Sequence, residues 1–247
     1  MEVSGNFGAA AATSKALTET ELLALGAAVA WDLVPTRGYY LALKRALDIV
    51  VALALLMVLL PVMLLCALAV RLESPGPILF RQQRAGQAGR LFTLLKYRSM
   101  YDNCDPGLHR EYATAFIRGT AEVQSDGKTH VYKLTDDPRV TRVGRWLRRT
   151  SLDELPQLLN VLHGTMSLVG PRPPIPYELE AYQPVHWQRL SVKPGITGIW
   201  QVYGRSVSTF DEMVQMDLQY IREQSLLLDL KLLIKTFPIV LGGRGAH

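Results

Sequence analysis

Cysteine is nearly absent from this chain of 247 residues, which has only two. Cys66 falls in an apolar run and Cys104 in a polar stretch, so no disulfide framework is available and a reducing compartment is expected. Histidine is also sparse. His109, His130, His163, His186 and His247 are scattered without metal-ligand spacing, which argues against a zinc site. No internal repeat is present, and no stretch interleaves aromatic with basic residues as a nucleic-acid groove would. A signal peptide is not indicated either: the start lacks a basic region, and Glu19, Glu21 and Asp32 interrupt its apolar character.

What is present is apolar mass and positive charge. Hydrophobic residues make up 49% of the chain although 20% of it is charged, the balance of a globular domain carrying one strongly apolar segment. A formal net charge of +5 favours anionic partners, whether nucleic acid, phosphorylated substrates or acidic lipid.

The apolar segment is LKRALDIVVALALLMVLLPVMLLCALAVRLESPGP. From Ile49 to Val70 it runs about 22 residues without a charge, roughly 33 Å as a straight helix and long enough to span a bilayer. Pro61 sits near its middle, where it removes the hydrogen bond to the Met57 carbonyl and favours a kink. Basic residues flank both ends, Arg37, Lys44 and Arg45 before and Arg71, Arg81 and Arg84 after. Positive charge at both ends holds both on the cytoplasmic side. A broken helix that enters and leaves by one face meets both constraints; a kinked transmembrane helix and a buried core helix remain the alternatives.

Residues 1–42 form an N-terminal extension, with a capping box at Thr18 and Glu21 opening a short peripheral helix. After the turn SPGP, Ile78–Phe80 and Leu91–Leu95 flank a Gly-rich turn and predict a β-hairpin. A helix is expected around His109–Arg118, a strand at Lys128–Leu134, and a helix around Tyr177–Tyr182. The loop VKPGITGIWQVYGRS follows, then an amphipathic helix from Asp211 to Gln224. Leu226–Val240 reads equally as a core helix or one lying in a membrane interface with its lysines at the headgroups.

The densest chemistry lies between Thr141 and Pro173. Arg142, Arg145, Arg148 and Arg149 lead into the adjacent carboxylates Asp153 and Glu154, and the stiff turn GPRP then presents Arg172. Ser151 with Glu154 fits a plain capping box. Alternatively, an acid among guanidinium groups is equipped to approach a phosphate without being repelled. Arg142, Arg145 and Arg149 share one helical stripe and suit a solvated or headgroup-facing side, whereas Arg148 lies off it, nearest the acids. A nucleophilic carboxylate would form an acyl phosphate and divide one displacement into two.

Several motifs then carry a specific resemblance: KRALD, SPGPILFRQQRAG, LLKYRSM, DDPRVTRVGRWLRRTSLDELPQLLNVL, MSLVGPRP and KPGITGIWQVYGR. In this order, from about Leu43 to the C-terminus, the sequence resembles the bacterial polyprenyl-phosphate phosphoglycosyl transferases. This monotopic sugar transferase family initiates exopolysaccharide and O-antigen synthesis. The resemblance implies an α+β, mostly helical fold with a small β-hairpin. It also implies a re-entrant membrane helix over residues 43–73 broken at Pro61, and a catalytic domain over residues 74–247 with interfacial helices. The enzyme would sit in the bacterial inner membrane with its catalytic domain on the cytoplasmic face.

The implied reaction moves a phosphosugar from a UDP-sugar to undecaprenyl phosphate and releases UMP. Asp153 matches the nucleophile and Glu154 its partner, with Mg²⁺ held beside them. Arg148, Arg172, Arg205, Lys96 and Arg98 match the family's basic positions at the substrate. Tyr97 and Leu60 depart from the pattern, standing where Phe and Ser are commoner. Membrane lipid is a further partner, nucleic acid is not, and self-association into a homo-oligomer stays open. The rival class, a non-enzymatic basic membrane adaptor, would have no need of Asp153.

Overall fold

The computed structural model describes residues 38–102, 107–121, 137–204 and 207–242, together with Thr18, Thr20, Glu21 and residues 124, 125, 130 and 131. Arg205 and nearly all of the N-terminal extension lie outside the described residues. The Thr18 box does form: the Thr18 amide donates to Glu21 Oε2 at 2.8 Å, and the Glu21 amide donates to Thr18 Oγ1 at 3.3 Å.

The apolar segment forms α1, Gly38–Glu73, a helix of 36 residues with Pro61 inside it. Among the described residues it is the one helix long and apolar enough to cross a membrane. Met57, Val58, Leu60, Leu64 and Leu65 are exposed, while Ala52, Cys66 and Val70 are buried against the rest of the protein. Polar anchors reinforce that contact along the helix. Arg45 donates to the carbonyls of Val161 and Leu162 at 2.6 and 2.8 Å, and Asp48 accepts from Ser167 Oγ and the Leu168 amide at 3.0 Å each. Beyond Pro61, the Tyr97 hydroxyl donates to the Met63 carbonyl at 2.8 Å, and Glu73 accepts from the Val143 amide at 3.0 Å.

The hairpin forms as β1, Leu79–Ala85, antiparallel to β2, Leu91–Tyr97, with Arg84 opposite Phe92 and Phe80 opposite Lys96. Residues directly opposite share a face, so Gln82, Arg84, Leu94 and Lys96 lie on one side of this ribbon. Helix α2 spans Gly107–Ile117. Two-residue strands β3 (Gln124–Ser125) and β4 (His130–Val131) pair beyond it, so the expected strand at Lys128–Leu134 is seen only in part, its remainder lying outside the described residues.

Helix α3, Arg142–Thr150, begins where the Thr141 hydroxyl accepts from the Gly144 amide at 2.9 Å. It packs backbone to backbone on Ser99, where a Cβ at Gly144 would collide with the Ser99 carbonyl. It ends at Ser151, which is left-handed (φ 56°), and a 3₁₀ turn, Leu152–Glu154, precedes α4, Gln157–His163. The capping box expected at Ser151 and Glu154 is therefore absent. A residue at positive φ cannot present its hydroxyl as an N-cap in extended conformation does, and Ser151 makes no side-chain cap.

The remainder surrounds a pair that sequence patterning did not reveal. Strand β5, Ser167–Val169, runs parallel to β6, Gly195–Thr197, and joins the GPRP turn to the KPGITG loop. The segment at Tyr177–Tyr182, expected as a helix, is a 3₁₀ turn over Pro176–Ala181. Short helices α5 (Pro184–Trp187) and α6 (Ile199–Tyr203) lead to α7, Phe210–Glu223, and α8, Leu226–Gly242. The main core gathers Leu158, Val161, Met166, Leu168, Val214, Ile221 and Leu232, and it includes Ala52 of α1. The core reading of α8 holds for one face, where Leu232 and Asp229 are buried; its other face exposes Leu227, Leu230, Ile234 and Phe237.

Candidate active site

Asp153 sits on the 3₁₀ turn between α3 and α4, only 8% exposed. Leu152 and Leu155, on either side of the acid pair, pack into the cluster of Cys66, Val70, Tyr97 and Leu147. The carboxylate turn is thereby seated against the second half of α1. Burial is the largest influence on Asp153 and pushes its carboxyl above the usual range. Lys96 and Arg148 pull it down, and the neighbouring Glu154 charge pushes it up.

Lys96 rises from β2 to meet Glu154, with Nζ 3.4 Å from Oε1. Burial lowers its pKa, and the two carboxylates oppose that shift. Arg148, in the last turn of α3, donates from Nε to Ser99 Oγ at 2.8 Å and faces Asp153 and Asp137 electrostatically. Arg142, Arg145 and Arg149 are exposed along the other side of α3, the division that their spacing predicts.

A solvent-open cleft adjoins the acid turn at Glu154, with Lys96, Gln157, Arg84, Arg172 and Gln201 among its other walls. Arg172 stands on the proline turn with its guanidinium 5.8 Å from the Trp200 ring centroid. Its flanking prolines are buried while its own side chain is exposed. The turn is held mainly through its acceptors, with the Gly170 amide donating to the Thr197 carbonyl at 2.8 Å. The carbonyls of Pro171, Arg172, Pro173 and Pro174 accept from the Gly195 amide, Arg189 Nη2, Arg84 Nη1 and the Ala85 amide, at 2.9, 3.3, 2.8 and 3.0 Å. Arg189 is itself fixed by Asp217 at 2.7 Å and by the Tyr182 hydroxyl at 2.7 Å.

Among the expected substrate residues that are described, Arg98 is not brought to this cleft. Arg98 is buried, and its guanidinium donates to the carbonyls of Ser74 and Pro75 and to Ser74 Oγ, so it fastens the SPGP turn at the end of α1. Arg205 lies outside the described residues. Conversely, Arg84, which the sequence marks only as one of the cations flanking the apolar segment, is a cleft residue. Its placement on the inward face with Gln82 follows from strand alternation, which was the available signal. Gln157 and Gln201 carried no signal.

Among the described residues no cluster of three or more His, Cys, Asp or Glu side chains could cage a metal ion. The adjacent carboxylates still suit Mg²⁺, which takes one or two carboxylates and fills its remaining positions with water and substrate phosphates. Two acids, one of them buried and raised in pKa beside the other, are a donor set that a divalent cation would relieve.

The chain is similar to known proteins over most of its length. The chain is 40% identical over 204 residues to the exopolysaccharide production protein ExoY of Sinorhizobium fredii, covering 83% of this chain and 88% of that one. It is 42% identical over 208 residues to the galactosyl transferase CpsE of Streptococcus agalactiae, covering 84% of this chain and 44% of CpsE. It is 41% identical over 210 residues to the UDP-glucose:undecaprenyl-phosphate glucose-1-phosphate transferase of Escherichia coli, covering 82% of this chain and 41% of that one. This chain thus spans less than half the length of the latter two. The sequence profile of the bacterial sugar transferases matches residues 39–243, taking in α1, the acid turn and the cleft alike; the chain belongs to the bacterial sugar transferase family.

Proposed function

We propose that this protein is a membrane-embedded phosphoglycosyl transferase that moves a hexose 1-phosphate from a UDP-sugar to undecaprenyl phosphate, as an opening step of exopolysaccharide synthesis. The observation that carries the reading is the buried Asp153 carboxylate, flanked by Lys96 and Arg148 and set beside a cleft walled by Arg84 and Arg172. The names of the relatives support it, one for galactosyl transfer and one for glucose 1-phosphate transfer to undecaprenyl phosphate.

In the proposed sequence an Asp153 carboxylate oxygen attacks the β-phosphorus, and the bond to the bridging oxygen breaks so that UMP leaves. A phosphate oxygen of the lipid carrier then attacks the same phosphorus, and the carboxylate departs unchanged. Lys96, Arg148 and Arg172 would neutralise the phosphate oxygens as charge builds on them. Mg²⁺ would be held by Asp153 and Glu154 and would supply further neutralisation of the diphosphate. Glu154 would otherwise keep Lys96 oriented toward the acid turn.

The lipid substrate fits the surroundings. One body holds α1 on both sides of Pro61, through Arg45 and Asp48 before it and Met63 and Glu73 after it. A single globular body cannot lie on opposite faces of a bilayer, so this favours a re-entrant course with both ends on one face, and the basic residues flanking the segment favour the cytoplasmic one. The exposed stripe of Leu227, Leu230, Ile234 and Phe237 on α8, with Lys231 and Lys235 nearby, suits the same interface.

The test combines detergent-extracted protein, Mg²⁺, candidate UDP-hexoses and undecaprenyl phosphate. UMP release and a covalent phosphosugar adduct are expected. Asp153→Asn should lose on the order of 10³-fold or more in kcat, and turnover undiminished in that variant would refute the nucleophile.

A further inference from the structure

Arg84 is only 4% exposed, yet none of its hydrogen-bond partners is charged. Nε and Nη2 donate to Gln82 Oε1 at 3.1 and 2.7 Å, and Nη1 donates to the Pro173 carbonyl at 2.8 Å. These bonds occupy three of the five N–H groups a guanidinium carries. Glu178 and Glu154 act on it only from longer range, Arg172 repels it, and burial brings its pKa down to about 10, so it remains cationic at neutral pH. Burying a cation without a paired anion is costly. The cleft that Arg84 lines also holds Lys96 and Arg172, and of these Lys96 already has Glu154 at 3.4 Å.

We propose that Arg84 is a substrate-binding residue whose counter-ion is the substrate: its two unused N–H groups bind a phosphate in the cleft, beside Lys96 and Arg172. The inference rests on the phosphate-transfer reading above and adds a residue to it. A guanidinium floor set in the hairpin complements Lys96 from the paired strand and Arg172 from the proline turn. Its bond to the Pro173 carbonyl places it one residue from Arg172, so both meet the same ligand. The bound phosphate belongs either to a nucleoside diphosphate or to a polyprenyl phosphate, which offer the same terminal oxygens.

The experiment measures binding of UDP and, separately, farnesyl phosphate to the full-length protein in detergent with Mg²⁺. Arg84→Gln should raise Kd for one or both ligands by roughly tenfold or more, as befits loss of a charge-assisted bond. Arg84→Lys, which keeps the charge but not the fork, should lose less and also serves if the glutamine variant does not fold. Direct contact predicts that Arg84→Gln still weakens binding in an Arg172→Ala background. A loss that vanishes there would make Arg84 a scaffold for the proline turn and overturn the proposal. Wild-type affinity for both ligands in Arg84→Gln would overturn it too, leaving the phosphate site otherwise intact. Wild-type protein that binds neither ligand would instead refute the phosphate-transfer reading itself, and the role of Arg84 with it.

Discussion

His109 shares a 2.6 Å hydrogen bond with the Tyr177 hydroxyl, close enough to the cleft to feel its charges. Burial lowers its pKa most; Arg172, Arg84 and Arg139 lower it further, and Glu178 opposes them. The imidazole is therefore neutral in the folded protein at a pH where the unfolded chain still binds a proton. Stability from this residue is complete above the unfolded value of about 6.5 and is lost as pH falls through the depressed folded value. Titration followed by NMR should place the His109 midpoint below about 6.5. The stability advantage of wild type over His109→Gln should grow as pH rises through that window. A midpoint at or above the unfolded value would show that burial and the nearby cations do not govern it. Arginines teach a related lesson at this scale. Arg148 was legible because helical spacing separates it from Arg142, Arg145 and Arg149, and only its face turns inward. Arg98 and Arg84 were not, since type and spacing say nothing of partners. One is consumed by Ser74 and Pro75, while the other lines the cleft.

At the level of elements, KRALD proves to be the clip between α1 and the catalytic body. Lys44 pairs with Asp229 of α8 at 2.9 Å, and the hydroxyls of Tyr40 and Tyr220 also donate to that carboxylate, at 3.1 and 2.8 Å. Asp229 is 1% exposed, so Lys44→Met strands a buried charge and should cost about 3 to 5 kcal/mol. Adding Asp229→Asn should recover part of this loss. Thermal melts of the single and double variants check the order, and a double variant less stable than the single one would contradict it. Elements differed in how plainly they could be read. The hairpin was foreseeable because its apolar runs flank a glycine-rich turn, and α7 because its apolar residues keep helical period. The β5–β6 pair was hidden: each strand has three residues, and its closeness depends on Gly195, where a Cβ would strike the backbone of Gly170. The acid turn misled for a local reason, since Ser151 adopts a left-handed conformation that no capping pattern announces.

For the molecule as a whole, the proposed re-entrant course makes a prediction about sidedness. Cysteines introduced at Gly38 and Leu72, both exposed and at opposite ends of α1, should react together with an impermeant maleimide. On a Cys104→Ser background, with Cys66 only 2% exposed, neither should be labelled in intact spheroplasts and both should be labelled after lysis. Labelling of one alone before lysis would mean that the helix crosses the bilayer.

Ala52 is fully enclosed in the main core, and Asp48, about one helical turn before it, is buried against β5. A chain cut before Ser74 to yield a soluble enzyme would therefore lose a wall of its interior rather than a tether. Leu168 and Val161 would face an open groove, and Asp229 would be left without Lys44. Anchor and catalyst form one folding unit, so detergents that strip lipid from α1 act on the stability of the active body and not merely on its solubility. Exchanging α1 for another apolar helix would, by the same token, require redesign of the core that Ala52 completes.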